Sequence, residues 1–179
     1  MEPVQLTRHS IVDAAFTILR RYGLGDVTMR RVASDLGVAP GALYWHVANK
    51  QELLRALSSH IIQPALTTDY MSPADRATAF RRCVLSVRDG ADVVSVGLAD
   101  PIALRGIIEV WTSSFTEAGQ CAPERGALGA ETLLHYCVGA VLNQQTLEQL
   151  GQESLADQDA SFNAGVELIV NATLLHRTS

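Results

Sequence analysis

GVAPGALYWHVANKQELLRAL, residues 37–57, sets three rings side by side, Tyr44, Trp45 and His46, between a Gly-x-x-Pro-Gly turn and a fresh run of leucines. Only about a third of a helix surface faces a core, so three consecutive rings on one short helix cannot all be buried. Leu43 and Val47 are i, i+4 neighbours and take the inward face. Successive side chains step about 100° round a helix, which turns Tyr44 and Trp45 toward other directions. A phenol hydroxyl, an indole N–H and an imidazole can each donate to a phosphate. The stretch therefore reads as a short helix with one face for the core and another for a polyanion.

The flanking residues supply the rest of that unit. Ile11, Ala15, Ile18, Leu19 and Tyr22 form the stripe of an amphipathic helix over residues 7–22, with Thr7 to cap it and Gly23 and Gly25 to end it. Thr28 reads as the N-cap of a second helix, with Met29, Val32, Ala33 and Leu36 on one face and Gly37 as its stop. Pro40 suits the first turn of the third helix, which ends by Val47 because Asn49-Lys50-Gln51-Glu52 reads as a new capping box. A fourth helix continues through Leu53, Leu54, Leu57 and Ile61 toward Pro64. Three helices with a glycine turn before a short third one outline a helix-turn-helix. Ala33 allows close packing, and Leu36 and Val38 bury the turn. The outer face of the third helix then fits a major groove about 12 Å wide. Arg30 and Arg31 can reach a flanking strand, and Lys50 places a charged head at a helix N-terminus, where both favour phosphate.

Further along, residues 66–73 are polar and broken, a hinge. Helical pattern returns over 74–88, 101–117, 123–150 and 161–176, with a polar loop over 151–160. Val93, Val94 and Val96 could suit a strand, but nothing else in the chain would pair with it, so 91–99 reads as helical or irregular. The expected fold is all-α. It has a helix-turn-helix module in residues 1–49 and a larger helical body in 50–179, with the helix 50–66 connecting them.

Composition sets limits. A 47% hydrophobic content over 179 residues is enough for a packed core and argues against disorder. Net charge is −5, yet the first fifty residues hold six basic and four acidic side chains, leaving −7 on the remainder. A basic module on an acidic body fits contact with a polyanion at one end. No apolar run reaches the roughly 18 residues of a membrane span, and MEPVQLTRHS lacks the pattern of a signal peptide. Cys83, Cys121 and Cys137 are odd in number and widely spaced, unlike a disulfide framework or a zinc cluster. The expected location is cytoplasmic, with no membrane partner. There is no Gly-x-Ser-x-Gly elbow, phosphate-binding glycine loop, His-Glu-x-x-His or Cys-x-x-Cys. Neither catalytic residues nor a cofactor or metal is expected.

VTMRRVASDLGVAPGALYWHVANKQELLRAL, residues 27–57, resembles the DNA-binding region of the TetR family of repressors, and LYWHV-x-NK is similar to the tetracycline repressors' own motif. The resemblance implies operator contacts from Thr28 and Arg30 on the second helix. It implies further contacts from Pro40, Gly41, Ala42, Tyr44, Trp45 and His46 on the recognition helix, and from Lys50 on a phosphate. Pro40, Gly41 and Ala42 stand where the tetracycline repressors carry base-reading side chains. Base readout here narrows to Arg30 and an apolar touch on a thymine methyl by Ala42, so the operator differs from theirs.

Arg82-Cys83, Arg88-Asp89-Gly90, His135-Tyr136 with Gly139 and Leu142, and residues 165–169 extend the resemblance into the body. The family's magnesium–tetracycline histidine, just after the Arg-Asp-Gly run, is replaced by Val93, Val94, Ser95 and Val96. A second histidine falls near Leu66, and the supporting acidic residue is Asn143. A hard cation needs oxygen ligands and charge neutralisation, so the implied effector is a small, largely apolar molecule, with Phe80, Trp111, His135, Asn143 and Gln144 around it. The helices over 126–150 and 161–176 are apolar and rich in small residues, more face than one small body can bury. A homodimer would pair them in a four-helix interface, with Gly139, Phe162, Val166, Ile169 and Val170 in it. Such a dimer sets two recognition helices about one duplex turn apart, on a palindromic double-stranded operator. The expected protein is a ligand-responsive repressor; a ligand-independent DNA-binding protein or a degenerate binding module is the alternative.

Overall fold

The computed structural model describes residues 6–67, 72–119, 121–152 and 158–175. Thr7 caps α1 (Arg8–Tyr22), its hydroxyl accepting the Ser10 N–H. Gly23 closes that helix at φ 90°, a conformation that favours glycine. A 3-10 turn, Leu24–Asp26, leads to α2 (Met29–Asp35), capped by Thr28. Gly37 at φ 68° turns the chain into α3 (Pro40–Leu43). This helix is a single turn, shorter than the pattern suggested, and Tyr44–His46 continue as a tight turn. Its shape follows from Val47, which must reach the core directly after it and is fully buried.

The next helix, α4 (Lys50–Thr67), runs past Pro64. Proline costs a helix one hydrogen bond and crowds the preceding turn; here both Pro64 and His60, whose carbonyl would have accepted that bond, face solvent. The capping box also differs from the expected one. Asn49 Oδ1 accepts the Glu52 N–H at 2.9 Å, but Glu52 reaches back to the Ala48 N–H, at 2.7 Å, instead of to Asn49's. The buried face of α4 (Leu53, Leu57, Ile61) meets the module on one side and the body on the other.

The body consists of α5 (Pro73–Leu85), α6 (Gly90–Leu98), α7 (Pro101–Gly119), α8 (Pro123–Gln149) and α9 (Gln158–Leu174). No strand occurs among the described residues, and the valine-rich stretch is α6, with Val93 and Val94 buried. Between α5 and α6 the chain passes through Asp89 at φ 54°. At Gly90 a side chain would collide with the Val84 carbonyl. Part of the 66–73 hinge, part of the 151–160 loop and His176 lie outside the described residues. The core is continuous from α1 to α9. No helix of the described residues is long and apolar enough to cross a membrane.

Candidate functional site

The three rings of the opening stretch all face solvent. Leu43 and Val47 are fully buried, while Tyr44 is 52% exposed, Trp45 89% exposed, and His46 exposed beside them. Pro40 and Gly41 are also exposed, Ala42 is half-buried, and the space around Gly41 is open. Exposing this much ring surface loses the transfer free energy of burial, about 1.5–3 kcal/mol for a large side chain. A contiguous exposed apolar patch rimmed by polar groups marks an interaction surface.

The cations around it fall into two kinds. Arg31 donates to Asp26 Oδ1 at 3.2 Å, and its guanidinium lies 4.6 Å from the centre of the Tyr22 ring. Arg30 and Lys50 are exposed and form no ion pair or side-chain hydrogen bond among the described residues. Thr28 Oγ1 accepts the Arg31 N–H at 3.1 Å, which leaves its own proton free to donate. The arrangement presents Thr28, Arg30, Tyr44, Trp45, His46 and Lys50 as donors on one module, with Arg31 held back along its side.

The residues expected around an effector do not converge. Phe80 and Trp111 are buried and pack edge to face, ring centres 5.8 Å apart. His135 and Asn143 are exposed on α8. Gln144 Oε1 accepts from Arg81 Nη2 at 2.8 Å, beside Asn143 and away from the two rings. These five therefore mark three locations: Phe80 and Trp111 are core rings, His135 faces outward from α8, and Asn143 and Gln144 share a lateral cleft. The Trp111 indole N–H is buried without a partner among the described residues.

Several polar residues of the body escaped the sequence reading. Arg76 and Ser114 are buried and bonded to each other, and Arg76 Nη1 also donates to the Ala65 carbonyl at 3.1 Å. The signal was that Arg76 falls in register with Phe80 and Val84 on the inner stripe of α5. Burial pushes the Cys137 thiol far above its ordinary range, so it is an unreactive core residue. The positions matching the family's metal site do not fit a divalent cation. Val93 and Val94 offer buried hydrocarbon, and Asn143 is an exposed neutral amide.

Two of the five residues expected at a dimer face turn inward. Phe162 and Val166 are buried within the chain, and Phe162 stacks on Tyr136 at 5.7 Å. Ile169 and Val170 are half-buried and only Gly139 of the five is exposed. The outward stripe is instead Leu128, Thr132, His135, Gly139 and Leu142 on α8, beside Ala164, Leu168, Ala172 and Leu175 along and just past α9. On α8 the spacing alternates four and three, a heptad seam that the sequence displays.

Module and body meet at Asp89. Its Oδ2 accepts the Leu24 N–H at 2.7 Å, and its Oδ1 accepts from Gln149 Nε2 at 3.0 Å. Buried Gln145 holds the same turn, accepting the Ala91 N–H and donating to the Val87 carbonyl, both at 2.8 Å. Nearby, α4 and α6 approach so closely that a side chain at Gly97 would overlap Ser58.

Comparison with known proteins agrees with this architecture. The family described as "Bacterial regulatory proteins, tetR family" matches residues 11–57. The chain is 35% identical over 151 residues to tetracycline repressor protein class D of Escherichia coli, spanning 79% of this chain and 67% of that one. It is similar to a crystal structure of BioQ with its natural double-stranded DNA operator, with 34% identity, TM-score 0.78, and coverage of 96% of this chain and all of that one. It is also similar to a glutamine-to-alanine variant of TetR from Acinetobacter baumannii AYE in complex with minocycline, with 28% identity, TM-score 0.80, and coverage of 98% and 100%.

Proposed function

The chain belongs to the TetR family of bacterial transcriptional regulators, and we propose that it is a repressor that binds a palindromic operator as a homodimer and is released by a small, largely apolar effector. The single observation that carries this reading is the exposed ring cluster Tyr44–His46 beside unpaired Arg30 and Lys50. Residues 1–49 form the DNA-binding unit and residues 50–179 the effector and dimer body. In the groove, Arg30 donates to a base edge, Ala42 touches a thymine methyl, and Tyr44, Trp45, His46, Thr28 and Lys50 fix the register on phosphates. The operator-bound BioQ structure supports the DNA half of this reading, and the minocycline complex supports the effector half.

Dimerisation uses the outward α8 and α9 stripes, with the two modules at the same end of a two-fold axis. An effector acts only through its differential affinity for body geometries that match or miss the operator spacing. The Asp89 bond to Leu24 ties the body to the module, and the close Ser58–Gly97 approach locks α4, the helix that follows the module, against α6.

Selection from a randomised duplex library tests the proposal. It should yield a two-fold symmetric site, and inserting about 5 bp between its halves, half a helical turn, should abolish binding. An asymmetric site indifferent to the insertion contradicts the dimeric reading.

A further inference from the structure

Away from the DNA face, α5, α8 and the start of α9 form a cleft of about 220 Å³ at the edge of the core. Arg81 stands in its wall with a side chain only 16% exposed. The guanidinium is held from three directions: Gln144 Oε1 at 2.8 Å, Asp159 Oδ1 at 2.7 Å, and the Phe162 ring, 5.0 Å from its centre. Asp159, by contrast, is 77% exposed. The cationic partner is thus built in and its counter-charge sits on the surface. Asp159 lies at the surface, so a ligand carboxylate that replaced it on Arg81 would restore the charge pair it displaces, which makes Asp159 a displaceable occupant.

The remaining lining has the character of a recognition site. Tyr136 and Phe162 stack nearly parallel and form an aromatic wall. Asn143, Gln158 and Ser161 also line the cleft, and their side chains form no hydrogen bonds with other described residues. The volume lies below the range of about 300–1,000 Å³ usual for drug-sized ligands, room for one ring with a short acidic arm. We propose that this cleft binds a small aromatic carboxylate, whose acid takes the Arg81 face now held by Asp159 and whose ring lies against Tyr136 and Phe162. An arginine fork matches a carboxylate in geometry as well as charge.

Calorimetric titration of the purified full chain with benzoate, benzamide and acetate tests this. Benzoate should bind saturably, and benzamide about tenfold more weakly, because it lacks the charge-assisted bond. Acetate, with no ring, should also bind more weakly than benzoate. Arg81→Gln should remove the preference for benzoate, while Arg82→Gln, on an exposed neighbour outside the cleft, should leave it unchanged. Asp159→Asn removes the competing carboxylate and should tighten benzoate about two- to fivefold, a gain that damage to the fold cannot mimic. Equal binding of benzoate and benzamide, or no gain in Asp159→Asn, overturns the proposal. The same samples titrated with operator duplex separate the two claims: duplex binding without benzoate binding refutes the cleft alone, and the reverse refutes the DNA-binding reading alone.

Discussion

Trp45 is 89% exposed and Trp111 is 1% exposed, and the two halves of the molecule differ in the same way. In the module, chemistry is displayed: rings and cations stand on the outside of a short, tightly specified scaffold. In the body, the expected effector-binding rings are enclosed, indistinguishable by pattern from residues that merely fill space. A surface that binds something must break the rule that apolar groups go inside, and the break can be seen. A cavity that binds something apolar obeys that rule, and so leaves no such mark.

Exchanging the roles of the two tryptophans gives the largest expected effects. Trp111→Ala should destabilise the fold by about 3–5 kcal/mol in urea melts. Trp45→Ala should change stability by less than about 0.5 kcal/mol and yet weaken DNA binding. A large stability loss from Trp45→Ala would erase the distinction between the halves. The α8–α9 seam offers the next test. Leu128→Glu with Leu168→Glu places charge on two exposed leucines and should cost the dimer at least about 2 kcal/mol, read as dissociation in sedimentation velocity. A dimer untouched by both would move the interface elsewhere.

The seam also shows how far the sequence could be read. The rings that follow α3 were legible because Leu43 and Val47 claimed the inner face and left no room for the others. On α9, by contrast, both flanks are apolar, so periodicity could not decide which one turned inward. Stacking of Phe162 on Tyr136 settles it, a long-range contact that no local pattern contains. Phe80 and Trp111 were expected to line a largely apolar effector cavity, but each fills the core, while His135 and Asn143 are exposed. Asp89 was visible only as part of an Arg-Asp-Gly run. Its role comes from folding, which brings Leu24 and Gln149 to its two oxygens.

That joint sets the third prediction. Asp89→Asn retains a residue tolerant of the left-handed conformation but gives the Leu24 N–H a neutral acceptor. It should weaken the docking of module on body by about 1 kcal/mol, seen as faster hydrogen exchange at Leu24. The smallest effect concerns Asp100, where the Ile102 and Ala103 N–H groups, opposing a smaller desolvation effect, hold the carboxyl below its usual range, helped by nearby Arg55. A lowered folded-state pKa gives stability that is present above the unfolded value of about 3.9 and lost as pH falls through the folded one. The difference in urea midpoint between wild type and Asp100→Asn should therefore narrow from pH 6 to pH 3.

The central claim, that the exposed rings just after α3 grip DNA phosphates together with Lys50, is tested most directly by fluorescence anisotropy with the selected operator duplex over a salt series, comparing wild type with Tyr44→Ala/Lys50→Ala. The account predicts weaker binding by the double variant and a slope of log K against log salt reduced by about 0.9, the release of one phosphate contact by lysine. An unchanged affinity and slope would contradict it and put a different face of the module on the duplex.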